Sequence, residues 1–348
     1  MNMKHYIIKA VMFAGALLLA ASCYEPYITD YTYSTVYNAF QYDLRTFVVG
    51  EGEQFEYTVA LAGVLDNTAD RNVSVSICDD LVTASIPELI GVDAASFTAY
   101  DGLSGKGKFG TVSQSYVSDE VKALGVTAME PLPSSCYTVS GLDGMKIEKG
   151  KWTAKATVKA TDEFINNPKA IKPYYAIGFK IESAQADTIP LQKSFEVIAV
   201  KIENKYYGNW YHGGKTTVVD NVTGQIIPER CEDYSLVLPQ PDDKAYILTT
   251  VAPDEVVTNK IGSKSGELHL KFDGENITLS VPDPTLKISC GACYANGAKL
   301  LQDRKIYLNY SYDNGDGTSS FVSDELTFRN RIRDGVNEWQ DLNPENYK

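Results

Sequence analysis

Along most of this chain apolar and polar residues alternate one by one, the period of a strand with one buried and one wet face. In 151–160, Trp152, Ala154, Ala156, Val158 and Ala160 fall on one side, and Lys151, Thr153, Lys155, Thr157 and Lys159 on the other. Such a lysine row also discourages edge-to-edge pairing of strands. The same alternation predicts strands at 36–48, 54–62, 71–78, 173–183 and 194–204. Short strands at these intervals point to an antiparallel sandwich. The interval 79–135 breaks the pattern. It holds Gly102, Gly105, Gly107 and Gly110, then a stretch at 118–124 suited to one or two helical turns. It reads as a long loop excursion, centred on about 80–130.

From Tyr206 the alternation restarts. The clearest hairpin joins 267–272 to 275–281 through Asp273-Gly274. A two-residue type I′ turn there pairs Phe272 with Glu275, Leu270 with Ile277 and Leu268 with Leu279, and leaves the aliphatics of both strands on one face. Further strands are expected at 208–219, 245–252, 286–290, 305–312 and 320–332. About eight strands with hardly any helix suit a closed or nearly closed meander barrel.

The N-terminus follows other rules. Lys4 and Lys9 precede an unbroken apolar or small run at 10–20. That is the charged and hydrophobic halves of a secretory leader, too short for a bilayer span of about 20 apolar residues. The run ends in Leu19-Ala20-Ala21-Ser22-Cys23. Small residues before a cysteine resemble a bacterial lipobox, in which Cys23 is acylated and becomes the first mature residue; Ala20 stands where leucine is usual. An ordinary secretory leader that happens to contain a cysteine is the alternative. Two or three acyl chains anchor stably where one is marginal. The expected plan is a lipoprotein signal peptide at 1–22, a polar tether at 23–33, a sandwich at 34–204 and a barrel at 205–348.

The length of 348 residues exceeds the roughly 250–300 at which single cores stop growing, which fits two domains. With 44% hydrophobic and 22% charged residues the composition is that of a folded protein. The formal charge is −13, and −15 without residues 1–22, which hold two lysines and no acid. So acidic a chain repels phosphate backbones and is not expected to bind nucleic acid. There are 23 Tyr to 12 Phe and 3 Trp; tyrosine suits half-buried strands and wet binding surfaces alike.

Several segments together resemble a known family. They are Leu132-Pro-Ser-Ser-Cys-Tyr-Thr-Val139, Lys146-Ile-Glu-Lys-Gly150, Tyr175-Ala-Ile-Gly-Phe-Lys-Ile181, Tyr207-Gly-Asn-Trp-Tyr211 and the closing run from Arg329 to Trp339. The chain is similar in these to the Bacteroidetes two-domain surface lipoproteins. The resemblance implies an all-β protein, an immunoglobulin-like β-sandwich followed by an approximately eight-stranded lipocalin-like β-barrel. It implies an outer-membrane address and transfers no catalytic residues. Many members accompany polysaccharide-uptake systems, so a glycan-handling role is implied only by association. In lipocalin-like barrels the Trp of a G-x-W plugs one end and a late arginine packs across it. Trp210 takes the first role here, and Arg329, Arg331 and Arg333, on one face of the last strand, offer the second.

The remaining motifs carry little chemistry. Gly102–Lys108 fits G-x-x-x-x-G-K, but Phe109 replaces the Ser or Thr that binds magnesium, and no helix follows. Cys290-Gly-Ala-Cys293 is a lone C-x-x-C, and only Cys231, His212 or His269 remain to complete a zinc site. With an odd five cysteines after Cys23, a bridge from Cys231 to one of the pair is plausible in an oxidising compartment. Only His212 and His269 survive leader removal, and there is no G-x-S-x-G elbow. Asp313–Gly317 is hairpin-turn chemistry rather than a calcium loop.

The expectation is therefore a protein that acts by binding, not an enzyme, without metal or cofactor, anchored by lipid at Cys23 in the outer membrane and exposed at the cell surface. It is a glycan-binding accessory of a polysaccharide-uptake system, with a poly- or oligosaccharide and outer-membrane uptake proteins as partners. Candidate ligand contacts are Tyr294, Tyr310, Tyr312 and Trp339, with Arg331 available to an acidic sugar. A structural or adhesive protein-interaction module is the alternative, and a two-carboxylate glycoside hydrolase a remote one.

Overall fold

Alternation becomes geometry in the strand Thr153–Ala160, where Ala154, Ala156, Val158 and Ala160 are buried and the intervening side chains are not. In this computed structural model residues 32–83, 89, 121, 123–125, 129–234, 240–241, 244–262 and 264–341 are described. The expected leader, Cys23 and most of the expected tether lie outside them, as do the Gly102–Lys108 motif and most of the expected excursion. The chain divides into two compact units. The first takes 1–43, 55–159 and 174–199; the second takes 44–54, 160–173 and 200–348.

The N-terminal strands are β1 (Thr32–Asn38), β2 (Tyr42–Val49), β3 (Gln54–Val64), β4 (Arg71–Ile77), β5 (Glu130–Pro131), β6 (Tyr137–Ser140), β7 (Lys146–Ile147), β8 (Thr153–Ala160), β9 (Tyr175–Ala184) and β10 (Phe195–Asn204). They form two sheets, ordered β1-β3-β8-β6 and β2-β10-β9-β4-β7. Tyr57 of one sheet stacks on Phe179 of the other, with ring centroids 4.2 Å apart, so apolar faces of the two sheets meet. The strand expected at 36–48 is two strands, because Gln41 Nε2 donates to Asn38 O and the chain turns there. β8 is not an edge: it lies between β3 and β6, and Lys155 answers Glu56 across the pair at 2.5 Å. Trp152 precedes β8 and is 40% exposed rather than on its buried face.

The second unit is dominated by an all-antiparallel barrel. Eight strands close it: β11 (Gly208–Asp220), β13 (Tyr246–Ala252), β14 (Glu255–Ile261), β15 (Lys264–Asp273), β16 (Asn276–Ser280), β17 (Ile288–Ala295), β18 (Lys305–Asp313) and β19 (Thr318–Arg333). The long β11–β19 pairing, from Asn209↔Asn330 to Asp220↔Thr318, makes the closure. β12 (Glu232–Tyr234) pairs with β11, and β20 (Val336–Glu338) with the end of β19. β14 was not expected. The hairpin after β15 has Phe272 opposite Ile277 and Leu270 opposite Leu279, two residues from the expected register. The turn residues are Gly274 and Glu275, and of these only Gly274 has a positive φ, +62°. A glycine at the first central position meets the type II′ requirement, whereas type I′ needs both residues there. A shift of two keeps every side chain on its expected face.

Inward residues form one apolar cluster that includes Trp210, Tyr246, Leu248, Leu268, Leu308 and Leu326. Trp210 is fully buried, donates from Nε1 to Tyr206 O at 3.0 Å and meets Phe328 edge-on at 5.4 Å. Gly208 two residues earlier has φ +133°, and a Cβ there would lie 2.8 Å from Asn330 O and 2.9 Å from Arg331 Cβ. Only glycine admits both that dihedral and that approach.

Candidate functional site on the barrel wall

Strand parity decides what the barrel shows to solvent. On β18 Ile306, Leu308, Tyr310 and Tyr312 point inward, so Tyr307, Asn309 and Ser311 point outward. On β19 the even residues from Thr318 to Phe328 are buried, so Phe321 and Ser323 face out. Register then aligns these residues in rows. Ser311 stands opposite Ser289 and Phe321, and Phe321 opposite Thr217; Ser323 joins Asn309 to Lys215; Tyr307 faces Tyr294.

The rows enclose a shallow groove of about 410 Å³ lined by Lys215, Ser289, Asn309, Ser311, Phe321 and Ser323. Phe321 is 51% exposed, an unusual position for a phenylalanine in mid-strand. Asn309 Nδ2 donates to Ala292 O at 2.9 Å, which holds the amide in place. Lys215 makes no ion pair among the described residues. Next to the groove Tyr294, 43% exposed, stacks on Tyr307 with centroids 5.0 Å apart and planes 29° apart. One stretch of wall thus offers flat apolar faces, hydroxyls, an amide and a cation. It can hold a ligand with apolar and hydrogen-bonding faces, and it contains no acid–base pair.

Inside the barrel lies a buried polar knot. His212 Nε2 is 2.8 Å from Asp324 Oδ1, while Tyr246 and Tyr310 donate to Asp324 Oδ2 at 3.1 and 3.4 Å. Gln240 clasps the His212 backbone at both N–H and C=O, each 2.8 Å. Burial, followed by the Asp324 charge, pushes the Tyr246 and Tyr310 hydroxyls far above their ordinary range. These groups satisfy one another and face no solvent, which is a structural arrangement.

The expected site residues scatter. Tyr294 is on the wall beside the groove, and Trp339 is 58% exposed just after β20. Tyr310 and Tyr312 turn away from the outer wall: at 4% and 5% exposure their side chains belong to the interior cluster, because they share the parity of Ile306 and Leu308, although Tyr310 also borders the groove from within. Arg331 is not open to an acidic sugar either. It is 2% exposed, with Glu51 and Glu338 occupying its guanidinium. Arg329 does not share a face with Arg331, since a bulge opposite Asn209 and Trp210 turns it outward, over the Tyr211 ring at 5.5 Å. Arg333 shares Glu338 with Arg331. All five described cysteines are free, so Cys231 bridges neither Cys290 nor Cys293. Burial pushes the Cys293 thiol up to about 11. Among the described residues no group of three His, Cys, Asp or Glu could hold a metal ion. His269 sits between Glu255 and Glu267.

No family model matches the chain, and no curated protein matches it. Solved structures do. A Bacteroides ovatus protein of unknown function aligns with TM-score 0.58 at 19% identity, over 89% of this chain and 98% of that one. An auxiliary nutrient binding protein from Bacteroides thetaiotaomicron aligns with TM-score 0.35 at 11% identity, over 85% of this chain and 92% of that one. A second B. ovatus protein of unknown function aligns with TM-score 0.34 at 10% identity, over 86% and 93%. The first of these shares the fold of this chain.

Proposed function

We propose that this protein binds a poly- or oligosaccharide on the outer wall of its barrel and performs no catalysis. In this reading Cys23 is acylated, the protein is held in the outer membrane with its barrel at the cell surface, and it serves a polysaccharide-uptake system as an accessory. The N-terminal sheets are an immunoglobulin-like sandwich and the barrel a lipocalin-like one, as in the two-domain surface lipoproteins that the sequence resembles. The observation that carries the reading is Phe321, half exposed in a groove that also offers Asn309, Lys215 and three serines. Sugar rings have apolar C–H faces and hydroxyl edges, which such a surface matches on both counts.

Affinity electrophoresis of the full chain tests it. Retardation in gels containing a neutral polysaccharide is expected, with Phe321→Ala weakening it about fivefold or more, the loss of a contact worth ~1 kcal/mol. Phe321→Ala retarded as strongly as the unaltered chain overturns the groove as the site.

A further inference from the structure

A row of side-chain amides crosses the same wall at the other end of β19. Asn209 stands opposite Ile247 on β13 and opposite Asn330 on β19. Asn209 Nδ2 donates to Asn330 Oδ1 at 3.2 Å, and Asn330 Nδ2 donates to Asn337 Oδ1 on β20 at 2.6 Å. Both ends of this relay are open among the described residues: the Asn209 oxygen has no donor and the Asn337 amide group no acceptor. Apolar side chains flank it, with Ile247 50%, Ile332 54% and Trp339 58% exposed. Ile332 pairs with Asn337 in the β19–β20 hairpin, and Trp339 directly follows Glu338, which stands opposite Arg331 next to Asn330.

Of the nearby charges, Arg329 lies over the Tyr211 ring at 5.5 Å. Arg331 and Arg333, on the other face of the hairpin, are taken up by Glu51 and Glu338. An anion calls for converging cations or N–H groups and a hard metal for converging carboxylates. A chain of amides provides neither. Each amide both donates and accepts, as a hydroxyl does, and the exposed indole and isoleucines offer apolar surface beside them.

We propose that the Asn209–Asn330–Asn337 row with Trp339 is a second binding surface, for a neutral polysaccharide chain. It shares its ligand class with the groove and rests on that reading for nothing else, since it uses neither Phe321 nor Lys215. Asn330 lies nine residue steps along β19 from Phe321, about 30 Å at ~3.3 Å per residue. A chain long enough to engage both gains affinity through effective concentration.

The test is affinity electrophoresis of the full chain in xyloglucan, galactomannan and laminarin gels, with polygalacturonate as charged comparator. Trp339→Ala and Asn330→Ala are compared with Phe321→Ala, their folding checked by melting temperature. Trp339→Ala and Asn330→Ala are expected to weaken retardation in at least one neutral gel by about fivefold or more. Retardation of both at the unaltered strength overturns the second surface, and a simultaneous loss in Phe321→Ala leaves the groove standing. Loss in Trp339→Ala with none in Phe321→Ala supports the amide row and overturns the groove. An unaltered chain that migrates freely in all three neutral gels, or is held by polygalacturonate alone, overturns both.

Discussion

Arg331 holds Glu51 with both terminal nitrogens, Nη1 to Oε1 at 3.1 Å and Nη2 to Oε2 at 2.8 Å, across 280 residues of sequence. Arg304 adds a third contact at 2.7 Å. Burial pushes the Glu51 carboxyl up, but the two guanidiniums outweigh it and hold it at about 2. A carboxyl whose pKa is depressed on folding contributes stability above its unfolded value, near 4.5, and loses it as pH falls towards 2. Denaturant titrations between pH 7 and pH 2 should therefore show an acid limb in that window, worth on the order of 3 kcal/mol. Glu51→Gln should flatten the limb and, by leaving the 2%-exposed Arg331 with Glu338 as its one remaining carboxylate, cost about 3 kcal/mol at neutral pH.

The Glu51–Arg331 pair also marks what a sequence cannot disclose. Alternation reveals strands because burial of one face is a local property, and it placed most of them. It also held the answer for Tyr310 and Tyr312, whose even parity on β18 continues that of Ile306 and Leu308. Their ring chemistry suggested ligand contact, but parity governs which side of the wall a residue occupies. Phe321 was legible in the same way, as the aromatic on the polar parity of β19. The partners of Arg331, the bulge that turns Arg329 outward and the Asn209–Asn330 relay depend on register between distant strands, which no local pattern encodes.

Asp324 has no solvent to fall back on. Asp324→Ala should leave His212 Nε2 and the Tyr310 hydroxyl without their acceptor in the barrel interior and lower stability by about 2–4 kcal/mol. Glu325→Ala, one residue on and outside the barrel, removes only a half-exposed pair with Lys305 and should cost under about 1 kcal/mol. Equal costs in chemical denaturation would refute the buried role of Asp324.

His269 is bracketed by two carboxylates, with Nδ1 2.5 Å from Glu255 and Nε2 2.9 Å from Glu267. The hydrogen bond to Glu267 raises its pKa most, burial opposes it, and the bond to Glu255 adds to the rise. Its contribution to stability is therefore complete below about 6.5 and fades as pH rises through the higher folded value. An NMR titration of the His269 ring should give a midpoint above 6.5, and Glu267→Gln should bring it down. A midpoint at or below 6.5 in the unaltered chain would show that the clasp does not form.

Gly208 joins the barrel plug to the Arg331 network. Its φ of +133° excludes ordinary side chains, and an added Cβ meets Asn330 O and Arg331 Cβ at under 3.0 Å. One contact is backbone and the other the stem of a buried, ion-paired arginine, so neither yields without moving β19. Gly274→Ala supplies the comparison, because φ there is +62° and nothing lies within 4 Å of the new methyl. That variant meets only the dihedral penalty, about 1 kcal/mol. Gly208→Ala adds the clash and should cost at least about 2 kcal/mol more. It should also weaken the acid limb of Glu51, since displacing Arg331 loosens the grip on that carboxylate. Equal melting temperatures for the two variants would mean that β19 gives way freely at Asn330.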